Sequence, residues 1–230
     1  MNNVSMIKTK INDKWDILLP EHRAIKSDWP YWEAKRLASI YETVQKGDIV
    51  YYIGAEEGDM CGLLAMWGAK LVLFEPNDRV WSNIKAIFEA NELETPSCFV
   101  GFAANTTTSM ELMHEWPKCA YGNIIGNHGF KSLIEEGNSL PTIKIDDITS
   151  DYPPDMITLD VEGSEFEVLR GAEQTLLNYH PDIYLSLHPE FMFHQYGEYS
   201  GDLRKWIKNR GYTEVLLDYQ HEVHLYYKYK

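Results

Sequence analysis

The sequence is short of cysteine. Three in 230 residues, Cys61, Cys98 and Cys119, stand far apart with no CxxC pairing, which excludes a disulfide framework and a thiolate zinc site. Positive charge is also scarce: 21 Lys+Arg against 35 Asp+Glu leave a net charge of −14. That balance argues against nucleic acid or an anionic membrane as the main partner. Long apolar runs are missing too. The most apolar stretch, CGLLAMWGAKLVLF at 61–74, is interrupted by Lys70 and too short to span a bilayer. The opening MNNVSMIKTKINDKW lacks the apolar centre of a signal peptide, so the expected compartment is cytoplasmic. Neither HExxH nor GxxxxGK[ST] occurs, which speaks against a helical zinc pair and an ATP phosphate cradle.

What is present is an alternation of buried strands and amphipathic helices. DIVYYIG (48–54), KLVLFEP (70–76), SCFVGFAA (97–104), DMITLDVEG (155–163) and DIYLSLHPE (182–190) read as strands. Helices are expected from about Tyr31 to Lys46, Met60 to Trp67, Asp78 to about Asn91 and Ser200 to Arg210. Ser164-Glu165-Phe166-Glu167 reads as a capping box opening one more, with Val168, Leu169, Ala172 and Leu176 on its buried side. TEVLLDYQ and HEVHLYYKY close the pattern as an antiparallel hairpin, with His221 and His224 expected in solvent beside its turn. Such alternation predicts an α/β fold, a doubly wound and mostly parallel sheet covered on both faces. Residues 1–47 are expected to form an N-terminal helical cap and 48–230 the ligand-binding domain. Within it, the aperiodic segment 105–140, carrying Gly122, Gly126, Gly129 and Gly137, reads as an insertion or lid.

In an open parallel sheet, ligands sit at the carboxyl ends of the strands. The first of these strands ends in Gly54-Ala55-Glu56-Glu57-Gly58, where glycines permit a tight turn and close backbone approach. The next ends in Glu75-Pro76, and Glu75 lies 21 residues past Gly54. An acid at about that spacing grips ribose hydroxyls in dinucleotide folds, because a carboxylate can accept from both hydroxyls of a diol. The turn is not GxGxxG, which disfavours a nicotinamide; a ligand with a ribose and little phosphate, S-adenosylmethionine above all, fits better.

The string LDVEGSEFEVLRGA at 159–172 resembles the FkbM-type methyltransferases, a class I S-adenosylmethionine-dependent family. PTIKIDDI at 141–148, GFKSL at 129–133, FEP at 74–76 and GAEEG at 54–58 match the same pattern, so the resemblance runs from about residue 48 to 190. It implies a Rossmann-like seven-stranded sheet whose last two strands come from the terminal hairpin. It also implies methyl transfer to hydroxyl groups of sugars, polyketides or other small metabolites. One position departs from the family: Tyr52 stands where an Asp is usual.

The reading is therefore an O-methyltransferase acting on a hydroxyl of a small molecule or sugar. Gly54, Ala55, Gly58, Glu75 and Pro76 would hold the cofactor, completed by Ala103, Ala104 and Asp160. Tyr52, with Glu56 or Glu57, is expected near its amino-acid end. His188, Asp160 and Glu162 are the catalytic candidates, with strand capping and helix initiation as the plainer roles for His188 and Glu162. Asp160 and Glu162, with His188, could bind a divalent cation, but no complete ligand set is legible, so a metal-free mechanism is expected. A binding module on the same fold without turnover is the alternative, and a nicotinamide oxidoreductase a weaker one. Oligomeric state leaves no mark in the sequence.

Overall fold

The computed structural model describes residues 5–117, 140–219 and 222–230. At its centre is a sheet of seven strands: β3 (Ile49–Ile53), β4 (Lys70–Phe74), β5 (Ser97–Phe99), β8 (Met156–Leu159), β9 (Asp182–Leu187), β10 (Tyr212–Tyr219) and β11 (Val223–Tyr229). Their order is β10-β11-β9-β8-β3-β4-β5, and β11 alone runs antiparallel to its two neighbours. The expected doubly wound α/β sheet with a terminal hairpin is thus what the chain forms. The strand order reverses at β3, which pairs with β4 on one side and β8 on the other.

Period-two alternation gives each strand two apolar faces. Tyr51 and Ile53 pack with Val72, Phe74, Ile157 and Leu159 on one face, where α5 (Glu165–Arg170), α6 (Glu173–Asn178) and α8 (Ser200–Lys208) cover them. Val50 and Tyr52 pack with Leu71, Leu73 and Met156 on the other, under α2 (Ala34–Thr43), α3 (Asp59–Met66) and α4 (Trp81–Ala90). A short α1 (Glu21–Ala24) precedes α2, and α7 (Pro189–Phe191) runs into a π-helical turn at Met192–Tyr196.

Three local expectations change. The N-terminal segment is not wholly helical: β1 (Met6–Ile11) and β2 (Trp15–Pro20) form a hairpin. Its signal is alternation, since Thr9, Ile11, Ile17 and Leu19 are buried, while Asn12 and Asp13 take the left-handed backbone of the turn. The strand expected over 97–104 stops at Phe99, and Phe102–Ala103 becomes β6, paired with β7 (Thr142–Ile143) outside the main sheet. The capping box does not form either. Ser164 Oγ donates to the Val161 carbonyl, and Glu165 accepts from the Gly163 amide.

The helix expected after Ser164 is in fact two. Asp146 accepts hydrogen bonds from the Gln174 and Thr175 amides and so caps α6 from outside. Between α5 and α6, Gly171 lies against the chain leaving β6, where a Cβ would sit 1.9 Å from the Ala104 carbonyl oxygen. Of the segment 105–140, residues 118–139 lie outside the described part, and with them Cys119, the four glycines and GFKSL. His221 lies outside it as well. No described helix is long and apolar enough to cross a membrane.

Because backbone rather than a flexible side chain opposes a Cβ at Gly171, Gly171→Ala should cost about 1–3 kcal/mol or more. Urea denaturation measures it, and a variant as stable as the parent would show that β6 does not pack there as described.

Candidate active site

The turn after β3 is fixed by three sets of bonds. Gly54 and Ala55 amides both donate to the Phe74 carbonyl, tying the turn to the end of β4. Glu75 reaches back, its two oxygens accepting from the Glu56 amide (2.9 Å) and the Asn77 amide (2.8 Å). Gly54 itself, at φ 86°, lies so close to β8 that a Cβ would stand 1.8 Å from the Asp160 carbonyl oxygen. No other residue fits there. Turn and acid are therefore bonded to each other, with Glu75 holding the protein's own backbone. A carboxylate offers about four acceptor directions, so two remain for ligand hydroxyls.

A cavity of about 530 Å³ opens beside this turn. Tyr52, Gly54, Ala55, Glu56 and Gly58 form one wall, Asp160, Glu162 and His188 another. Glu75, Pro76, Ala103 and Ala104 are not part of its lining. The two alanines are buried where β6 meets β7. Of the two glutamates weighed as partners for the missing acid, Glu56 faces the cavity, whereas Glu57 is engaged by Asn83 (2.7 Å) and His22 (3.2 Å).

The segment before α2, whose Trp29, Tyr31 and Trp32 the sequence offers as a cover for the pocket mouth, supplies a further wall. Arg23 forms a bidentate pair with Asp59 at the start of α3, clamping this segment onto the turn, and Arg23, Lys26, Trp32 and Glu33 face the cavity. Trp29 lies in the core beneath and Tyr31 points to solvent, so of the three aromatics there only Trp32 borders the ligand space. Arg36, on α2, is 2% exposed. Its guanidinium bonds Glu33 (2.6 Å) and the Thr158 hydroxyl (2.8 Å) and lies 3.5 Å from Asp160. Tyr52 shares this neighbourhood, and burial holds its hydroxyl in the neutral form, well above its ordinary pKa. Where the family pattern has an acid on β3, this chain has a neutral phenol beside a buried cation.

Asp160 and His188 end adjacent parallel strands and do meet, with Asp160 Oδ1 3.6 Å from His188 Nε2. Glu162 Oε2 (3.7 Å) and Glu222 Oε2 (3.5 Å) approach the same nitrogen. Glu222 comes from the turn of the terminal hairpin, a place read as solvent-facing. Nearby His224 is fully buried and lies 3.2 Å from the Ser186 hydroxyl. Behind the imidazole, His188 Nδ1 stands 2.6 Å from Glu165 Oε1. Burial disfavours a charged imidazole, but the Glu165 bond and the Glu222 and Asp160 carboxylates outweigh it and push the pKa up to about 11. The neutral imidazole expected of a general base is therefore not what this ligand-free cavity holds. Asp160 is pushed well above the ordinary range, by burial first and the Glu222 charge second.

Strand order, glycine turn and the acid after β4 together define the class I methyltransferase fold. Residues 48–214 match the methyltransferase FkbM domain, and the chain belongs to that family of S-adenosylmethionine-dependent methyltransferases. Among solved structures it is similar to methyltransferase FkbM from Methylobacillus flagellatus KT, at 16% identity and a TM-score of 0.56. That match covers 80% of this chain and 44% of the other, so this chain spans less than half of that protein's length. It is similar also to precorrin-6y C5,15-methyltransferase from Geobacter metallireducens GS-15 (11% identity, TM-score 0.54, covering 93% and 94%). A putative rRNA methylase from Clostridium thermocellum aligns at 10% identity and a TM-score of 0.53, covering 85% and 93%. At such identities the likeness is one of fold. No curated protein matches the sequence.

Burial pushes the Glu75 carboxyl up to about 8 against the pull of the Asn77 and Glu56 amides. A carboxyl raised in the fold contributes stability that is full below its unfolded pKa, about 4.5, and lost as pH rises through about 8. The stability difference between the parent and Glu75→Gln should therefore shrink from pH 5 to pH 9 in urea titrations. A difference independent of pH would place the Glu75 titration outside this window.

Proposed function

We propose that this chain methylates a hydroxyl oxygen on a small molecule or sugar, using S-adenosylmethionine. The observation that carries the proposal is that the glycine turn and the Asp160–Glu162–His188 group face one cavity. When bound, the cofactor supplies a methyl group already activated on a positively charged sulfur. The lining suits such a cation, since Glu33, Glu56, Asp59, Asp160, Glu162 and Glu222 outnumber Arg23, Lys26 and His188.

Gly54, Ala55 and Gly58 let the backbone come close to the ligand, and Glu75 accepts from ribose hydroxyls with the lone pairs its two amides leave. Glu56 faces an ammonium group in place of the acid that Tyr52 replaces. On the far wall, Asp160, Glu162 and the charged His188 orient the acceptor oxygen, and a carboxylate of the group receives its proton. Orientation lowers the barrier by holding reacting atoms together, and proton transfer contributes a further hundredfold or more. The surface charge of −14 favours a small acceptor over RNA, whose phosphates it repels. The neutral Tyr52 in an acid's place supports one second reading, a relative that binds cofactor without turnover.

Calorimetric titration should give S-adenosylhomocysteine binding and none of NAD. Above pH 8, where the Glu75 carboxyl is charged, Glu75→Ala should weaken it at least tenfold, since hydrogen bonds to a charged group are worth about 1.5–3 kcal/mol each. Full affinity in that variant would put the ribose elsewhere.

Methyl-labelled cofactor incubated with metabolite extracts and, separately, with RNA should label a small hydroxylated compound. His188→Ala should cut that labelling about a hundredfold by loosening the acceptor's orientation, while sparing S-adenosylhomocysteine affinity. Labelled RNA would overturn the acceptor class. Binding with no labelled product in any extract would favour the second reading.

A further inference from the structure

We propose that His188, Asp160 and Glu222, assisted by Glu162, form a binding site for a divalent cation of the manganese type. Their donor atoms, Nε2 of the histidine and one oxygen from each acid, all lie within 4.8 Å of one another. From Nε2 the distances are 3.5 Å to Glu222, 3.6 Å to Asp160 and 3.7 Å to Glu162. Donors about 2.1 Å from a common ion stand roughly 3.0–3.5 Å from one another. Measured from Nε2, the acid oxygens are within a few tenths of an ångström of that spacing.

An acidic cluster alone would not carry this. The second observation is the histidine: its side chain is 7% exposed, yet Nε2 has no hydrogen-bond partner and points into the group of carboxylates. A buried ring nitrogen aimed at three acid oxygens is placed as a ligand is placed. Its other nitrogen supports this, because Nδ1 is held at 2.6 Å by the fully buried Glu165, whose same oxygen accepts the Gly163 amide. A carboxylate behind the distal nitrogen is the usual outer support of a metal-bound imidazole, fixing its tautomer and its direction.

Donor chemistry narrows the ion. Carboxylate oxygens suit magnesium, calcium and manganese, whereas imidazole suits the later transition metals; one nitrogen among several oxygens meets both in manganese. All four side chains line the cavity, so the positions that the protein leaves open on the ion face the ligand space. If the methyl-transfer reading above holds, those positions are where an acceptor with two neighbouring oxygens would attach. The ion site itself does not depend on that reading.

The test is a titration of EDTA-treated protein with manganese chloride, following free Mn(II) by electron paramagnetic resonance. The parent should remove one equivalent from solution, and its melting temperature should rise as manganese is added. Glu222→Gln and Asp160→Asn should each weaken binding at least tenfold, with circular dichroism confirming that both variants fold. An unchanged free signal at millimolar manganese in the parent would overturn the proposal, as would parent-like binding in both folded variants. S-adenosylhomocysteine titrated into the same metal-free sample separates the two readings. Loss of that binding alone removes the methyltransferase assignment and leaves the ion site standing.

Discussion

Everything at the carboxyl edge of the sheet depends on how closely β3 and β8 come together just past their last paired residues. The ladder continues one step beyond the strands, with the Asp160 amide donating to the Ile53 carbonyl. There the Gly54 Cα lies against the Asp160 carbonyl with no space for a side chain. This contact turns the chain after β3 toward β4, where the Phe74 carbonyl and the Glu75 carboxylate take it up. The Asp160 side chain, beside that contact, faces the cavity. One backbone approach thus places both the ligand-holding turn and the first acid of the opposite wall.

Charge arrangement follows from that geometry. Asp160 has Arg36 on one oxygen and His188 on the other, so it links a cation from the N-terminal segment to one at the end of β9. Burying Arg36 is tolerable only because Glu33, Thr158 and Asp160 surround it, and removing any one would leave an ion poorly compensated. Glu33 adopts a left-handed backbone (φ 42°), a sparsely populated conformation for a non-glycine residue. The N-terminal segment is for these reasons part of the site as well as its cover.

The sequence disclosed what local pattern can disclose. Alternating strands and helices gave the sheet, and the Gly54 and Glu75 spacing gave its working edge. Asp160 beside His188 followed from two strand ends in adjacent βα units. Arg36 was hidden because it precedes the apolar positions Leu37 and Ile40 and looks like a solvent-side charge until β8 is laid beside it. Glu222 and His224 were hidden because a hairpin turn reads as exposed. Only the insertion of β11 beside β9 brings that turn over the cavity. Glu165 was hidden because it sits inside the apparent box S-E-F-E as a mere spacer, whereas its carboxylate serves His188. In each case the missing information was a contact between residues far apart in the chain.

The strand order also bears on how the protein is made. β11 is synthesised after β10 but lies inside it, between β10 and β9. While a ribosome extends the chain, the edge of β9 stays bare through α8 and β10, with no partner to pair with. It closes only when residues 223–229 emerge and slide in antiparallel. Pairings between distant segments form slowly, and bare edges in the interval attract other chains. Glu222 arrives with that same closing segment. The last acid of the wall therefore arrives together with the protection of the sheet, and a stalled chain would lack both.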